Sequence, residues 1–302
     1  MTIDFKDKVA IVTGAGGGLG RSHALELSKR GAKVVVNDLG GSVDGSGGSS
    51  EAAEKVVKEI ISSGGQAISN GSSVTDDKGV KLMIDQTINE YGKIDILINN
   101  AGILIDKSFS KMEINDFEKV LNVHLLGSVK PTKAVWEIMK EQNYGRIIVT
   151  SSSSGLYGNF GQTNYGAAKL GLVGFMNTLK LEGQKYNVHV NALTPVAYTR
   201  MTANLMPPEA ENLLTPESVT PAAIYLVSDE APNGIILCAG AGVYSVSKIM
   251  ESEGLSLGLN ATAEDIVNNW EKISNFDDAK AYNMGGEQTG KVFEKAMETI
   301  EK

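Results

Sequence analysis

Thr13-Gly14-Ala15-Gly16-Gly17-Gly18-Leu19-Gly20 stands directly after the apolar run Val9 to Thr13 and directly before an amphipathic stretch, Leu19 to Lys29. A strand that ends in such a turn and re-enters as a helix brings unpaired backbone amides and the positive end of a helix dipole to one point. A phosphate charge is stabilised there. Glycine lets the chain turn sharply and lets a pyrophosphate come close to the backbone. Glycine-rich turns are often merely structural, so the weight rests on the strand before this one and the helix after it. A P-loop does not fit: five residues before Gly20 stands Ala15, and Arg21 takes the place of the lysine.

Outward from this turn the same alternation repeats. Val34 to Asn37, Ile94 to Asn99, Ile147 to Thr150, Val188 to Leu193 and Ile235 to Cys238 are short continuous apolar runs. Strands of a parallel sheet covered on both faces require this pattern. Between the runs, Glu51 to Ile61, Val80 to Tyr91, Phe117 to Met139 and Asn164 to Gly183 carry apolar residues at helical spacing. Strand and helix alternate, so the connections are crossovers. The expected fold is α/β, a doubly wound, mainly parallel seven-stranded sheet with helices on both faces. Gly40 to Ser50 reads as a flexible Gly/Ser loop. Residues 1–246 are expected to form one domain that includes a substrate loop at 197–216. Residues 247–302 read as a helical appendage, with helices at Ala263 to Ser274 and Lys291 to Ile300.

Composition narrows the function classes. The 302 residues are 42% hydrophobic and 21% charged, ordinary for a globular protein and unlike a disordered or fibrous chain. A net charge of -8 argues against a nucleic-acid backbone or an anionic membrane as partner. Cys238 is the only cysteine, so no intrachain disulfide and no Cys-rich zinc site is expected, and a reducing intracellular compartment fits. No apolar run reaches the length of a membrane span, and no metal site is expected.

Three further features carry chemistry. Asp38 follows the second strand twenty residues after Gly18, where a carboxylate accepts hydrogen bonds from an adenosine ribose. It repels a 2′-phosphate, and no Lys or Arg lies in Leu39 to Ser50 to neutralise one, so NAD is favoured over NADP. Tyr165 and Lys169 lie one helical turn apart and share a face. A phenol ionises near ~10, and a neighbouring ammonium lowers that value, so the pair makes a tuned acid/base; a Tyr and a Lys also fall four apart by chance. Ser152 comes thirteen residues before Tyr165, at the end of a strand, where open parallel sheets form their binding crevice.

Taken together, these motifs resemble the short-chain dehydrogenase/reductase family, over about residues 5 to 245. The turn at Thr13 to Gly20, Asn99-Asn100-Ala101-Gly102, Ser152, Tyr165, Lys169 and Asn191 to Pro195 occur in the family's order. The resemblance implies a Rossmann-type fold. It implies that Tyr165 exchanges a proton with the substrate hydroxyl, that Ser152 orients that hydroxyl, and that Lys169 binds the nicotinamide ribose. It also implies cofactor contacts at Gly14, Gly16, Gly18, Leu19, Gly20, Asp38, Ser73, Val74, Asn100, Ala101, Gly102, Tyr165, Lys169 and Pro195. Ser73-Val74 stands where many members have an adenine-contacting Asp, and His124 where many have an Asn that acts through its main-chain carbonyl. The side chain of His124 reads as a buried, satisfied core histidine, and His23 and His189 as core or surface residues.

A narrower resemblance appears in Val34 to Gly41, Val123-His124-Leu125, Tyr157 to Gln162 and Arg200-Met201-Thr202. These are similar to the (3R)-hydroxyacyl-CoA dehydrogenase units of the peroxisomal multifunctional enzymes of type 2. Lys248 to Glu253 departs from that group, which tends to have Arg and Trp there. Tyr198, Met201, Leu205, Met206, Pro207 and Pro208 make an apolar set that suits a lid over a greasy acyl-CoA or equally a domain cap, and Arg200 reads as a solvated loop charge. The expected activity is NAD-dependent oxidation of a (3R)-hydroxyacyl-CoA in fatty acid β-oxidation. The alternatives are a hydroxysteroid or other secondary-alcohol dehydrogenase, and a non-catalytic NAD-binding subunit. The resemblance implies a homodimer, or pairing with a second dehydrogenase unit, through Phe117 to Met139 and Asn164 to Gly183. It implies a peroxisomal setting, or a cytoplasmic one for a bacterial or standalone chain. The final Thr299-Ile300-Glu301-Lys302 is not the Ser-Lys-Leu address.

Overall fold

The computed structural model of the chain describes residues 2–203 and 207–300. Leu205 and Met206 of the expected substrate loop lie outside the described residues, as do Glu301 and Lys302 of the tail. The chain divides into two compact units after Val246.

Eight strands form one sheet: β1 Val9–Thr13, β2 Lys33–Asn37, β3 Gln66–Asn70, β4 Ile96–Asn99, β5 Gly145–Thr150, β6 Val188–Pro195, β7 Ile236–Gly240 and β8 Val243–Ser247. Their order is β3-β2-β1-β4-β5-β6-β7-β8. Every pairing from β3 through β7 is parallel. Because the order reverses between β1 and β4, the connections leaving their C-terminal ends part in opposite directions and open a crevice.

Successive residues of the central strands enter opposite cores. Ala10, Val12, Ile96, Ile98 and Ile148 pack on one side with Ala24 and Leu27 of α1 (Gly18–Lys29), Val56 and Ile60 of α2 (Glu51–Ser62), and Val219 and Ala223 of α8 (Pro216–Leu226). Ile11, Leu97, Ile147 and Val149 pack on the other with Met83 of α3 (Asp77–Tyr91), Val135 and Met139 of α5 (Gly127–Glu141), and Leu172 and Met176 of α7 (Thr163–Gly183). The strand period of two makes both faces apolar, which is why the sequence shows unbroken runs rather than alternation.

Four expectations need correction. The sheet has eight strands, not seven, because a two-residue turn, Ala241-Gly242, returns the chain as β8; both residues have positive φ, at 49° and 75°. β8 is exposed over most of its length, so no buried run marks it in the sequence. The stretch Phe117 to Met139 is not one regular helix. α4 (Ile114–Leu121) passes into a π-turn, Asn122–Leu126, before α5 begins, and His124 sits in that widened turn. Within the second unit, the helix expected over Ala263 to Ser274 splits into α9 (Ala263–Asn268) and α10 (Trp270–Ile273). Its break is Asn269, whose side chain donates back to the Asp265 carbonyl at 2.9 Å. The last helix, α11, begins at Gly285 rather than Lys291, because Glu287 accepts the Asn283 amide at 2.8 Å and caps a start that glycine alone disfavours.

Ile148 is fully buried on the central strand β5. Ile148→Ala is expected to cost about 2–5 kcal/mol in unfolding free energy, measured by chemical denaturation.

Candidate active site

The ends of β1 and β4 are clasped by side-chain to backbone hydrogen bonds. Thr13 Oγ1 accepts the amides of Asn100 at 3.0 Å and Ala101 at 3.1 Å, and Asn100 Nδ2 donates to the carbonyls of Thr13 at 3.0 Å and Gly14 at 3.1 Å. The two backbones therefore run against each other. A Cβ at Gly14 would lie 2.7 Å from Ala101 Cα, and one at Gly20 would lie 2.3 Å from the Gly14 carbonyl. Gly14 also has φ +63°. At Gly17, by contrast, a Cβ would meet nothing within 4 Å, so this part of the turn faces open space.

Asp38 ties the turn to the end of β2. Its Oδ2 accepts the Gly16 amide at 2.7 Å and its Oδ1 the Gly40 amide at 2.6 Å. A carboxylate has roughly four acceptor sites, so capacity remains for two further donors such as ribose hydroxyls.

Over the turn lies a cavity of about 420 Å³. Gly14, Gly18, Leu19, Asp38, Ser73, Val74, Asn100, Ala101 and Gly102 line it, all of them singled out from the sequence. Gly16 and Gly20 do not line it; they are the close-packed side of the turn. Pro195 ends β6 opposite Ala239 and is not among the lining residues either.

Two readings change here. Arg200, taken as a solvated loop charge, lines the cavity together with Thr199 and Met201. The Gly/Ser loop after β2, taken as flexible, supplies another wall through Gly41, Ser42, Val43 and Gly45. It is pinned at both ends and in the middle. Ser49 donates its amide to the Leu39 carbonyl at 2.8 Å, Lys119 Nζ donates to the Asp44 carbonyl at 2.6 Å, and the Leu104 amide donates to Val43 at 3.0 Å. The glycine excess immediately after Asp38 was the only sequence signal for this wall.

Ser152, Tyr165 and Lys169 do not line the cavity; they lie behind its wall at Gly102 and Ile103. His124 is buried behind Gly102 and Ile103. Its Nε2 lies 2.7 Å from the Ile103 carbonyl and 3.1 Å from the Ile103 amide, while Nδ1 has no partner among the described residues. The core histidine expected from sequence is thus satisfied at one nitrogen only. Burial and the nearby Lys169 ammonium hold it well below its ordinary pKa. Its ring meets that of Tyr165 edge-on, with centroids 5.0 Å apart. Lys169 Nζ lies 5.3 Å from the Tyr165 ring centroid and donates to the Thr150 carbonyl at 2.5 Å. Ser152 caps α6 (Ser153–Tyr157) at the end of β5 and hydrogen-bonds toward the Tyr165 phenol. Ser152, Tyr165 and Lys169 are therefore brought together at the C-terminal edge of the sheet.

The electrostatics differ from the sequence reading. Burial pushes the Tyr165 phenol up to about 12, against which Ser152 acts, and burial brings Lys169 down to about 7. Desolvation disfavours both charged forms, and the ammonium is turned to a backbone carbonyl. No lowering of the phenol by Lys169 is present in this arrangement. His23, buried against Thr220 Oγ1 at 2.9 Å and lowered to about 4 by burial, and His189, bonded to the Ala231 carbonyl, take no part in the site.

Among the described residues no group of acidic, His or Cys side chains could hold a metal, and no helix is long and apolar enough to cross a membrane. Residues 8–210 match the family described as short chain dehydrogenase. The chain is 49% identical over 278 residues to the peroxisomal multifunctional enzyme A of Dictyostelium discoideum, covering 92% of this chain and 62% of that protein. It superposes with a TM-score of 0.81 and 36% identity on the full-length peroxisomal multifunctional enzyme type 2 of Drosophila melanogaster, covering 98% of this chain and 50% of that one. It thus spans between half and two thirds of these longer relatives. A 7α-hydroxysteroid dehydrogenase, solved with NADH and 7-oxo glycochenodeoxycholic acid, superposes with a TM-score of 0.71 at 28% identity, covering 79% of this chain and 95% of that one. The chain belongs to the short-chain dehydrogenase family of oxidoreductases.

Proposed function

We propose that the chain is an NAD-dependent dehydrogenase that oxidises the (3R)-hydroxyl of a 3-hydroxyacyl-CoA to the ketone, as a step of fatty acid β-oxidation. One observation carries the reading: Ser152, Tyr165 and Lys169 converge at the sheet edge near a glycine-lined cavity, with His124 packed between Gly102 of its wall and the Tyr165 ring. The peroxisomal multifunctional relatives support a dehydrogenase step of β-oxidation and a peroxisomal setting. Leu126, Leu170 and Leu181, exposed on the α5 and α7 side, support pairing of two copies there.

The residues present fit a dinucleotide. The turn is glycine where a Cβ would strike backbone and open at Gly17, and the helix N-terminus beneath it favours a pyrophosphate. Asp38 has acceptor capacity for ribose hydroxyls, and its charge disfavours the 2′-phosphate of NADP. Bound there, the nicotinamide supplies a hydride acceptor. Ser152 Oγ holds the substrate oxygen, and Tyr165 Oη takes the hydroxyl proton. Lys169, brought down to about 7 by burial, exchanges a proton within the physiological range while its Nζ is held on the Thr150 carbonyl.

The hydroxysteroid reading has one observation in its favour, the likeness to the 7α-hydroxysteroid dehydrogenase. Initial rates of NADH formation with 3R and 3S hydroxyacyl-CoA of several chain lengths, beside a panel of hydroxysteroids, decide between the two. The expected result is turnover of the 3R series alone, rising with pH above 7 because the phenol must be deprotonated to act as base. Tyr165→Phe should lower kcat by about 10²- to 10⁴-fold while leaving NAD binding intact by calorimetry; unchanged turnover would remove the assigned role. Asp38→Ser should reduce the preference for NAD over NADP by about tenfold or more in kcat/KM, since one charge is removed from the ribose position.

A further inference from the structure

Asp106 lies in the loop after β4, at the surface, with one carboxylate oxygen turned inward. Its Oδ2 accepts from Nε2 of the buried Gln162 at 2.7 Å. The other end of that amide, Oε1, accepts from the Ser154 hydroxyl at 2.7 Å and from Asn159 Nδ2 at 3.2 Å. The Ser154 amide in turn donates to Ser152 Oγ at 3.2 Å. A surface carboxylate thus fixes Gln162, Gln162 fixes the Ser154 side chain, and the backbone amide of the same Ser154 meets the hydroxyl that faces Tyr165. Gln162 is anchored to α7 as well, because its carbonyl accepts the Gly166 amide at 2.7 Å.

The polarity of this chain is set at one end. A carboxylate only accepts, so Gln162 must present its NH₂ to Asp106 and its carbonyl to Ser154. Ser154 then donates its hydroxyl to Gln162, which anchors the residue whose backbone amide donates to Ser152 Oγ. Ser152 Oγ is left as an acceptor on that side, with its own proton free for an oxygen on the other. The neighbouring cation does not compete for Asp106: Lys107 is paired with Asp116 at 2.6 Å, and among the described residues Asp106 has no ion pair.

We propose that Asp106 and Gln162 are positioning residues for the dehydrogenase reaction, holding the Ser154 side chain so that the Ser154 amide stays on Ser152 Oγ. This rests on the reading of Ser152 and Tyr165 given above. Tyr165 is faced by Lys169 from its own helix, His124 from the π-turn, Ser152 from α6 and Asp106 from the loop after β4, and the charge of Asp106 raises the phenol further.

A charge-swap cycle tests it. Asp106→Asn keeps the shape but lets the amide reverse, and Gln162→Glu sets two carboxylates against each other. The double variant Asp106→Asn/Gln162→Glu restores an acceptor toward Ser154 and Asn159. With the hydroxyacyl-CoA and NAD, kcat is expected to fall about tenfold in Asp106→Asn with KM little changed, and further in Gln162→Glu. The double variant should recover to within about threefold of wild type. A kcat for Asp106→Asn equal to wild type, or a double variant no better than that single one, overturns the proposal. Should wild type oxidise no alcohol tried, the dehydrogenase reading fails, and hydrogen exchange of the Ser154 amide decides the positioning in the same four proteins. Faster exchange in both single variants, with recovery toward the wild-type rate in the double variant, upholds it. The same rate in all four overturns it.

Discussion

The clasp between Thr13 and Asn100 is the contact on which the rest of the site depends. β1 and β4 are neighbours in the sheet but send their chains to opposite faces, so their C-terminal ends would part if nothing joined them. Thr13 Oγ1 and Asn100 Nδ2 close that gap with four short hydrogen bonds, and they do so against backbone. The cost is steric: Gly14 and Gly20 have no room for a Cβ. The return is a turn that is open at Gly17, where it lines the cavity, and that is held against Asn100 and Ala101.

From that fixed point the two halves of the site are connected by packing. Gly102 has no Cβ because the His124 ring occupies the space where one would stand. The ring in turn lies edge-on to Tyr165. His124 is placed there by the π-turn in the helix between α4 and α5, which carries an extra residue through the region and breaks the regular spacing. Regular helical geometry over the same residues would move this side chain around the axis and away from Gly102.

Burial governs the chemistry of the second half. Tyr165 and Lys169 are both sheltered from solvent, and desolvation acts on them in opposite directions: the acid becomes weaker and the base becomes weaker, so both lean to neutrality. A phenol beside a lysine is therefore not by itself a lowered phenol. Its state follows from which way the ammonium points, and here Nζ is turned to the Thr150 carbonyl at the end of β5. Asp106 adds a charge of the opposite kind from the loop after β4.

The amino-acid sequence alone determined the parallel, two-faced sheet, because strands buried on both sides must be apolar at every position. It also determined the glycine turn and the grouping of Ser152, Tyr165 and Lys169, because short-range spacing and strand ends place those residues directly. β8, the wall made by the loop after Asp38, the inclusion of Arg200 and the π-turn were not legible. The loop wall depends on partners distant in the chain, such as Lys119 holding Asp44, and local pattern carries no record of them; β8, though it follows β7 at once, is exposed and so leaves no buried run to read. The same holds for protonation. Residue types named the acid and the base, but only the tertiary structure decided how far each is removed from water, and that distance sets their ionisation.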